Sequence, residues 1–269
     1  MNLSYSLIRT YQSCPLQYRY SYVERRPRAP RKNLQLPKKI HAALRRYYLY
    51  SEYGVPEFQR IAEAYSEAWG ARANPEIINE PAYQDGLQVL RGYYEAQKGT
   101  IQRPVMLEQR FELELGAHRF AGKIDRVDLT DEGELEILDY KLDREIPPQD
   151  ALEQDLQLGL YLAAVKEMQN RTPMAASRYY LRHNVKVSVS KTSDEIERVA
   201  RSAADLGDRI ERDTSFEARP GRVCGSCSYR KDCPAVSSKP KATEAGWAPG
   251  HLPLADVGAR YVTPEIPGL

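Results

Sequence analysis

The spacing of hydrophobic and polar positions changes period four times along the chain. Up to about residue 98 the apolar positions recur at helical spacing. Leu7, Ile8 and Tyr11 mark a first helix, with Ser4 as N-cap; it stops near Ser13 because Pro15 disfavours helical geometry at Cys14. Leu16, Tyr18, Tyr20 and Tyr22 continue a short tyrosine-rich element, and the basic, proline-containing stretch over 26–37 reads as a loop. Helices are predicted over about 37–51, 56–70 and 80–98. The second carries Phe58, Ile61, Tyr65 and Trp69 on one face, and the third Tyr83, Leu87, Leu90 and Tyr94. Pro56 and Pro81 sit near helix starts, where a missing N–H does no harm, and Asn74-Pro75 marks a break.

From Val105 the period becomes two. Val105, Leu107, Gln109, Phe111, Leu113 and Leu115 alternate with Glu108, Arg110, Glu112 and Glu114, which predicts a strand turned by Gly116-Ala117-His118. Two further alternating runs flank Asp131-Glu132-Gly133, a β-hairpin signal. A register symmetric about Glu132 sets Leu129 opposite Leu135, Val127 opposite Ile137 and Asp125 opposite Asp139. Lys141, two residues beyond Asp139, shares its face. That face has an apolar base and ends in two carboxylates and an amine. Directly opposed like charges destabilise a sheet. The pair therefore suggests either a bound cation that offsets the repulsion, or a solvated hairpin end whose carboxylates pair with Lys123 and Lys141.

Helical spacing returns over about 150–169, with Leu152, Leu156, Gly159, Leu160 and Ala163 as the packing face. Short strands are predicted over 177–182 and 185–190. Thr192-Ser-Asp-Glu195 is a capping box that opens a helix with the stripe Ile196, Val199, Ala203, Leu206, Ile210. The order of helices, strands, helix, strands and helix predicts an α/β core with a helical insertion. We expect one domain over 1–234, with a helical part at 25–100, a sheet and helix at 105–190 and a cysteine loop at 220–234; 235–269 lacks periodicity and reads as a flexible tail.

The 269 residues carry 39 basic and 37 acidic side chains, so net charge does not announce a nucleic-acid partner. Its distribution does more. Arg25, Arg26, Arg28, Arg31, Lys32, Lys38, Lys39, Arg45 and Arg46 fall in one acid-free stretch, which is either a solvated surface or a set of phosphate partners. Nineteen tyrosines against four phenylalanines fit half-exposed packing surfaces and decide no fold. No apolar run approaches the ~20 residues of a membrane helix, and the N-terminus lacks a secretory pattern, so a cytoplasmic protein without membrane contact is expected.

Four cysteines in such a chain argue for a metal site rather than disulfides. Cys224, Cys227 and Cys233 form C-x2-C-x5-C, and Cys14 is the remaining candidate for a fourth ligand. Closing that set ties the first helix to the C-terminal segment. Structural Zn²⁺ and an iron–sulfur cubane both fit these ligands, and spacing alone does not separate them.

Taken in order, these residues resemble a family. Leu3-Ser-Tyr-Ser and Cys14-Pro-Leu-Gln-Tyr-Arg-Tyr, a helix bearing His41, Gly122-Lys-Ile-Asp125-Arg-Val-Asp128, Ile137-Leu-Asp139-Tyr-Lys141, Gln157-Leu-Gly-Leu-Tyr161 and the cysteine trio are similar to the RecB-like, iron–sulfur branch of the PD-(D/E)XK nucleases. That branch includes the small nucleases of CRISPR adaptation and the nuclease domains of AddB-type helicase–nucleases. Two departures stand out: Pro37-Lys38-Lys39 where the family often has a glycine, and Leu142-Asp143-Arg144 in place of a common Thr-Gly.

The resemblance implies a restriction-endonuclease-like mixed β-sheet flanked by helices, with an N-terminal helical insertion lining a DNA channel and a metal-cluster staple. It implies that His41, Asp125, Asp139 and the backbone carbonyl of Tyr140 hold Mg²⁺ or Mn²⁺, that Lys141 orients the attacking water and stabilises phosphate charge, and that Cys14, Cys224, Cys227 and Cys233 hold a [4Fe–4S] cluster. Carboxylate oxygens suit a hard divalent cation that polarises a phosphodiester. Gln157 and Tyr161, four apart on a helix, face the same way; they could meet a DNA backbone, support Lys141, or form plain helix surface. Glu108 is either a support of the site or, on an alternating charged row, solvent-facing. The expected function is a metal-dependent deoxyribonuclease, an exonuclease preferring single strands or strand ends, in repair, recombination or CRISPR adaptation, with a helicase or CRISPR integrase as partner. The alternative is a non-catalytic DNA-binding or assembly subunit that keeps the fold.

Overall fold

The structure is a computed structural model that describes residues 1–28, 35–50, 57–71, 73–100 and 102–237. Arg31 and Lys32 of the basic stretch and 238–269 of the predicted tail lie outside the described residues. Within them the chain runs β1 (Asn2–Leu3), α1 (Tyr5–Ser13), α2 (Pro15–Tyr18), α3 (Gln35–Tyr50), α4 (Phe58–Trp69), α5 (Pro81–Gln97), β2 (Pro104–Leu115), β3 (His118–Leu129), β4 (Leu135–Lys141), α6 (Gln149–Glu153), α7 (Leu156–Gln169), β5 (Ala175–Tyr180), β6 (Val185–Val189), α8 (Ser193–Arg212) and α9 (Pro234–Ser237).

Local chemistry accounts for the boundaries. The Ser4 hydroxyl accepts the Leu7 N–H at 3.3 Å, and Cys14, ahead of Pro15, is extended at φ −163°, which ends α1 where expected. The tyrosine-rich element is helical: α2 passes into a π-turn over Arg19–Val23. Thr192 and Glu195 form the expected capping box of α8. The helix predicted over 150–169 is in fact two. Gln154 caps the end of α6 and Asp155 is the N-cap of α7, its Oδ1 accepting the Leu158 N–H at 3.1 Å.

The mixed sheet has the order β1-β3-β4-β5-β6, with β2 also on β3. β1 and β4 share one edge of β3, parallel at Arg119 and Phe120 and antiparallel from Arg126 to Leu129. The hairpin register is the symmetric one, with Leu129 opposite Leu135 and Val127 opposite Ile137. β4 pairs parallel with β5, which sets Asp139 beside Arg178.

Helices cover both faces. Val127 and Ile137 pack with Leu158 and Leu162 of α7 and with Ile196 and Ile210 of α8. On the other face Tyr140 and Tyr179 pack with Ile40 and Leu44 of α3, Tyr65 of α4 and Tyr93 of α5. This is the expected restriction-endonuclease-like arrangement. Among the described residues no helix is long and apolar enough to cross a membrane.

One irregularity positions the site. Phe120, Ile124 and Val127 all pack into the same core, so the inward positions of β3 shift from even to odd between 124 and 127. In β2 the matching shift falls between Met106 and Phe111. Glu108 sits at this break with φ 50°, a left-handed backbone that is strained in a non-glycine residue. Gly122 lies just upstream under the Phe111 ring; a Cβ there would be 2.5 Å from Cζ.

Candidate active site

The break brings side chains of three elements together. His41 of α3 lies 3.2 Å through Nδ1 from Asp125 Oδ1, and 3.8 Å from Glu108 Oε1. The ligand atoms of His41, Glu108 and Asp125 all lie within 4.8 Å of one another. Glu108 is therefore not solvent-facing: its left-handed backbone turns the carboxylate inward, where it pairs with Lys123 and His41. The hairpin ladder stops at Arg126 and Leu138, one pair short of Asp125 and Asp139. In place of a strand pair, the Asp125 Oδ2 accepts the backbone N–H of Tyr140 at 2.9 Å.

Asp125 and Asp139 are 7 % and 2 % exposed, which removes the reading of a solvated hairpin end. Asp139 Oδ2 meets Lys141 Nζ at 2.6 Å and Arg178 Nε at 3.3 Å. Lys141 also donates to Gln157 Oε1 at 3.3 Å, and Gln157 Nε2 donates to the buried Tyr161 hydroxyl at 2.7 Å. Gln157 and Tyr161 are thus bonded to each other and, through Gln157, to Lys141.

Electrostatics separate the two aspartates. Burial opposes ionisation of Asp125, but the hydrogen bond and charge of His41 and the Tyr140 N–H outweigh it and hold its carboxyl below the usual range. Burial dominates at Asp139 and raises it; Lys141 opposes the rise and the neighbouring Asp125 charge adds to it. At His41 burial works against protonation, yet Asp125, with Glu108 and Asp139 behind it, raises the imidazole above its ordinary value. Burial, and then the charges of Asp139 and Asp125, push the Tyr161 phenol up, so its hydroxyl keeps a proton to donate. A hard cation matches this arrangement, since carboxylate oxygens and an imidazole converge there.

Sequence reasoning missed two participants and gave a third the wrong partner. Arg178 sits on a strand whose every residue is buried, and a lone charge in such a strand was its signal. Asp155 was hidden inside an apparently continuous helix. Lys123, read as a partner for the aspartates, pairs with Glu108 instead.

The basic stretch divides. Arg26 pairs with Glu24 and lies 3.6 Å over the Tyr20 ring, while Lys39 bonds the Ala68 carbonyl and Arg46 pairs with Glu67, joining α3 to α4. Lys39 and Arg46 thus tie α3 to α4, whereas the Arg26 contacts are local.

The cysteines also converge. Cys14, Cys227 and Cys233 share an apolar cluster with Leu16, Tyr20 and Tyr229, and Cys224 lines the same pocket. All four are free thiols. Backbone N–H groups of Arg219 and Gly221 donate to the sulfurs of Cys14 and Cys224, each at 3.4 Å. Burial pushes the Cys227 thiol up, and the other three cysteines add to that. Four thiols held this close, with N–H donors aimed at sulfur, fit a bound metal centre. Besides the His41 triad, the group among the described residues with all ligand atoms within 4.8 Å is His118, Asp208 and Glu211.

The sequence matches the PD-(D/E)XK nuclease superfamily over residues 2–234, and the chain belongs to that superfamily. No curated protein matches it. Among solved structures it is similar to one named "Putative exonuclease" from Eubacterium rectale, at 15% identity and TM-score 0.46, with 91% of each chain covered. It is also similar to SSO0001, at 14% identity and TM-score 0.37, with 86% of this chain and 95% of that one covered.

Proposed function

We propose that the chain is a metal-dependent deoxyribonuclease that hydrolyses phosphodiester bonds, an exonuclease preferring single-stranded DNA or strand ends. The observation that carries this reading is the convergence of His41, Glu108 and Asp125 beside the buried Asp139–Lys141 pair. His41, Asp125, Asp139 and the Tyr140 carbonyl are the proposed ligands of Mg²⁺ or Mn²⁺, with Glu108 added to them. A divalent cation held there supplies Lewis acidity toward the phosphate. Lys141, anchored by Asp139 and Gln157, contacts the scissile phosphate, stabilises its developing charge and orients the attacking water. Tyr161 holds the Gln157 amide in place, and so fixes where Lys141 rests.

Cys14, Cys224, Cys227 and Cys233 are the proposed ligands of a [4Fe–4S] cluster of the RecB-like branch. Its bonds would staple α1 to the C-terminal loop. Repair, recombination or CRISPR adaptation are the settings this activity suits, with a helicase or CRISPR integrase as partner.

Cleavage of end-labelled single-stranded DNA by Asp139→Ala and Asp139→Asn proteins tests the assignment. Both variants should lose Mg²⁺-dependent cleavage while circular dichroism shows at least one of them folded. Full activity in a folded variant contradicts it.

A further inference from the structure

Arg178 lies in none of the motifs that carry the family resemblance, yet its guanidinium bonds Asp139, Asp155 and Gln157 together. It is 8 % exposed and is the only charged residue of β5, among Ala175, Ala176, Ser177, Tyr179 and Tyr180. Its Nε donates to Asp139 Oδ2 at 3.3 Å. Its Nη2 pairs with Asp155 Oδ2 at 2.7 Å and reaches Gln157 Oε1 at 3.4 Å. Asp155 uses its other oxygen to cap α7. One guanidinium thus joins β4, the first turn of α7 and the amide that supports Lys141.

Burying a guanidinium is costly, and an apolar residue would pack this strand more cheaply unless the charge has a use. Asp139 Oδ2 and Gln157 Oε1 are also the two acceptors of Lys141. When Lys141 turns to a phosphate, both acceptors lose a donor. A planar, permanently charged fork already bonded to them keeps both in place.

Resting on the nuclease reading above, we propose that Arg178 is a positioning residue: it fixes the Asp139 carboxylate and the Gln157 amide so that Lys141 is free to serve the substrate. A solely structural Arg178, one that only seats α7 on the sheet, would contribute to stability and leave metal affinity alone.

The test uses the full chain and its Arg178→Met and Arg178→Lys variants, with three readouts: calorimetric Mn²⁺ affinity, thermal midpoint, and kcat and KM on single-stranded DNA at saturating Mn²⁺. Removing a residue that orients a metal ligand typically weakens metal binding about 10- to 100-fold, and Arg178→Met should do so. Its kcat should fall further than its KM rises. Arg178→Lys keeps the charge, so Mn²⁺ affinity should return to within about threefold of the native chain, while kcat stays low because one ammonium cannot span Asp139, Asp155 and Gln157. If Arg178→Met does not fold, the affinity and kcat split of Arg178→Lys decides. A lowered melting point with unchanged Mn²⁺ affinity and kcat overturns the proposal and assigns the structural role. A native chain that neither binds Mn²⁺ nor cleaves DNA overturns the nuclease reading itself; a native chain that does both, with variants that match it, overturns only the role of Arg178.

Discussion

Replacing Arg126 by Met should cost the protein a large part of its stability, and the loss should depend on pH. Arg126 follows Asp125 but faces away from the site, into the core under α3 and α5, where it is 3 % exposed. Its Nη1 donates to the hydroxyls of Tyr140 at 2.8 Å and Tyr93 at 3.1 Å, and its Nη2 to Asp128 Oδ2 at 2.7 Å. Its guanidinium also stacks 4.2 Å over the Tyr48 ring. Nη1 also reaches Gln102 Oε1 at 3.3 Å, while the second Asp128 oxygen and the Arg126 Nε have no hydrogen-bond partner among the described residues. Truncating one member of a buried pair leaves the other charge unpaired, at about 3–5 kcal/mol. Burial already raises the Asp128 carboxyl despite Arg126, and without Arg126 it rises further. A carboxyl raised by folding contributes stability below its ordinary value and loses it as pH climbs through the raised one. The deficit of Arg126→Met relative to the native chain should therefore be largest at neutral pH and shrink on acidification. Adding Asp128→Asn should recover much of it. Urea unfolding of the four proteins in this cycle, with metal content held fixed, reads both effects. A deficit below about 1 kcal/mol, or one insensitive to pH and to Asp128→Asn, would refute the reasoning.

Glu108→Gly separates strain from function. Glycine accepts the φ of 50° without penalty, so Glu108→Gly should melt above Glu108→Ala by about 1 kcal/mol in stability, while both bind Mn²⁺ at least about tenfold more weakly than the native chain. An alanine variant as stable as the glycine one, or native Mn²⁺ affinity in either, contradicts the place given to Glu108. For the cysteines, protein purified without oxygen should carry iron and sulfide. Cys224→Ser should lose them together with thermal stability, because metal binding energy counts toward folding. A colourless native protein holding zinc contradicts the cluster.

Much of this architecture could be read from the chain because its local signals agree. The Asp131-Glu132-Gly133 turn and the alternation on either side predict the register that pairs Val127 with Ile137. The Pro15 stop and the Thr192 capping box fall where chemistry requires. Other features were illegible for physical reasons. β1 has two residues, too few for any period, and is recognisable only through its pairing with Arg119 and Phe120. The paired phase shift at Glu108 and Asp125 depends on a left-handed backbone that no residue type at 108 announces, so alternation alone pointed Glu108 outward. Asp155 reads as an ordinary helix residue until Arg178, from a strand twenty residues on, is seen to take its second oxygen. The site is thus most legible where it is built from one hairpin, and least where separate elements meet.

The central claim is that the Asp125–Asp139–Lys141 end of the hairpin cuts DNA with a divalent cation. End-labelled single- and double-stranded DNA incubated with the native chain and with Asp125→Asn, in Mg²⁺, Mn²⁺ or EDTA, tests it most directly. The account predicts cleavage by the native chain in either metal, none in EDTA, and a loss of at least about 100-fold in a folded Asp125→Asn, the scale on which removing a group that stabilises transition-state charge acts. Cleavage that persists in EDTA, or that Asp125→Asn leaves intact, would contradict it.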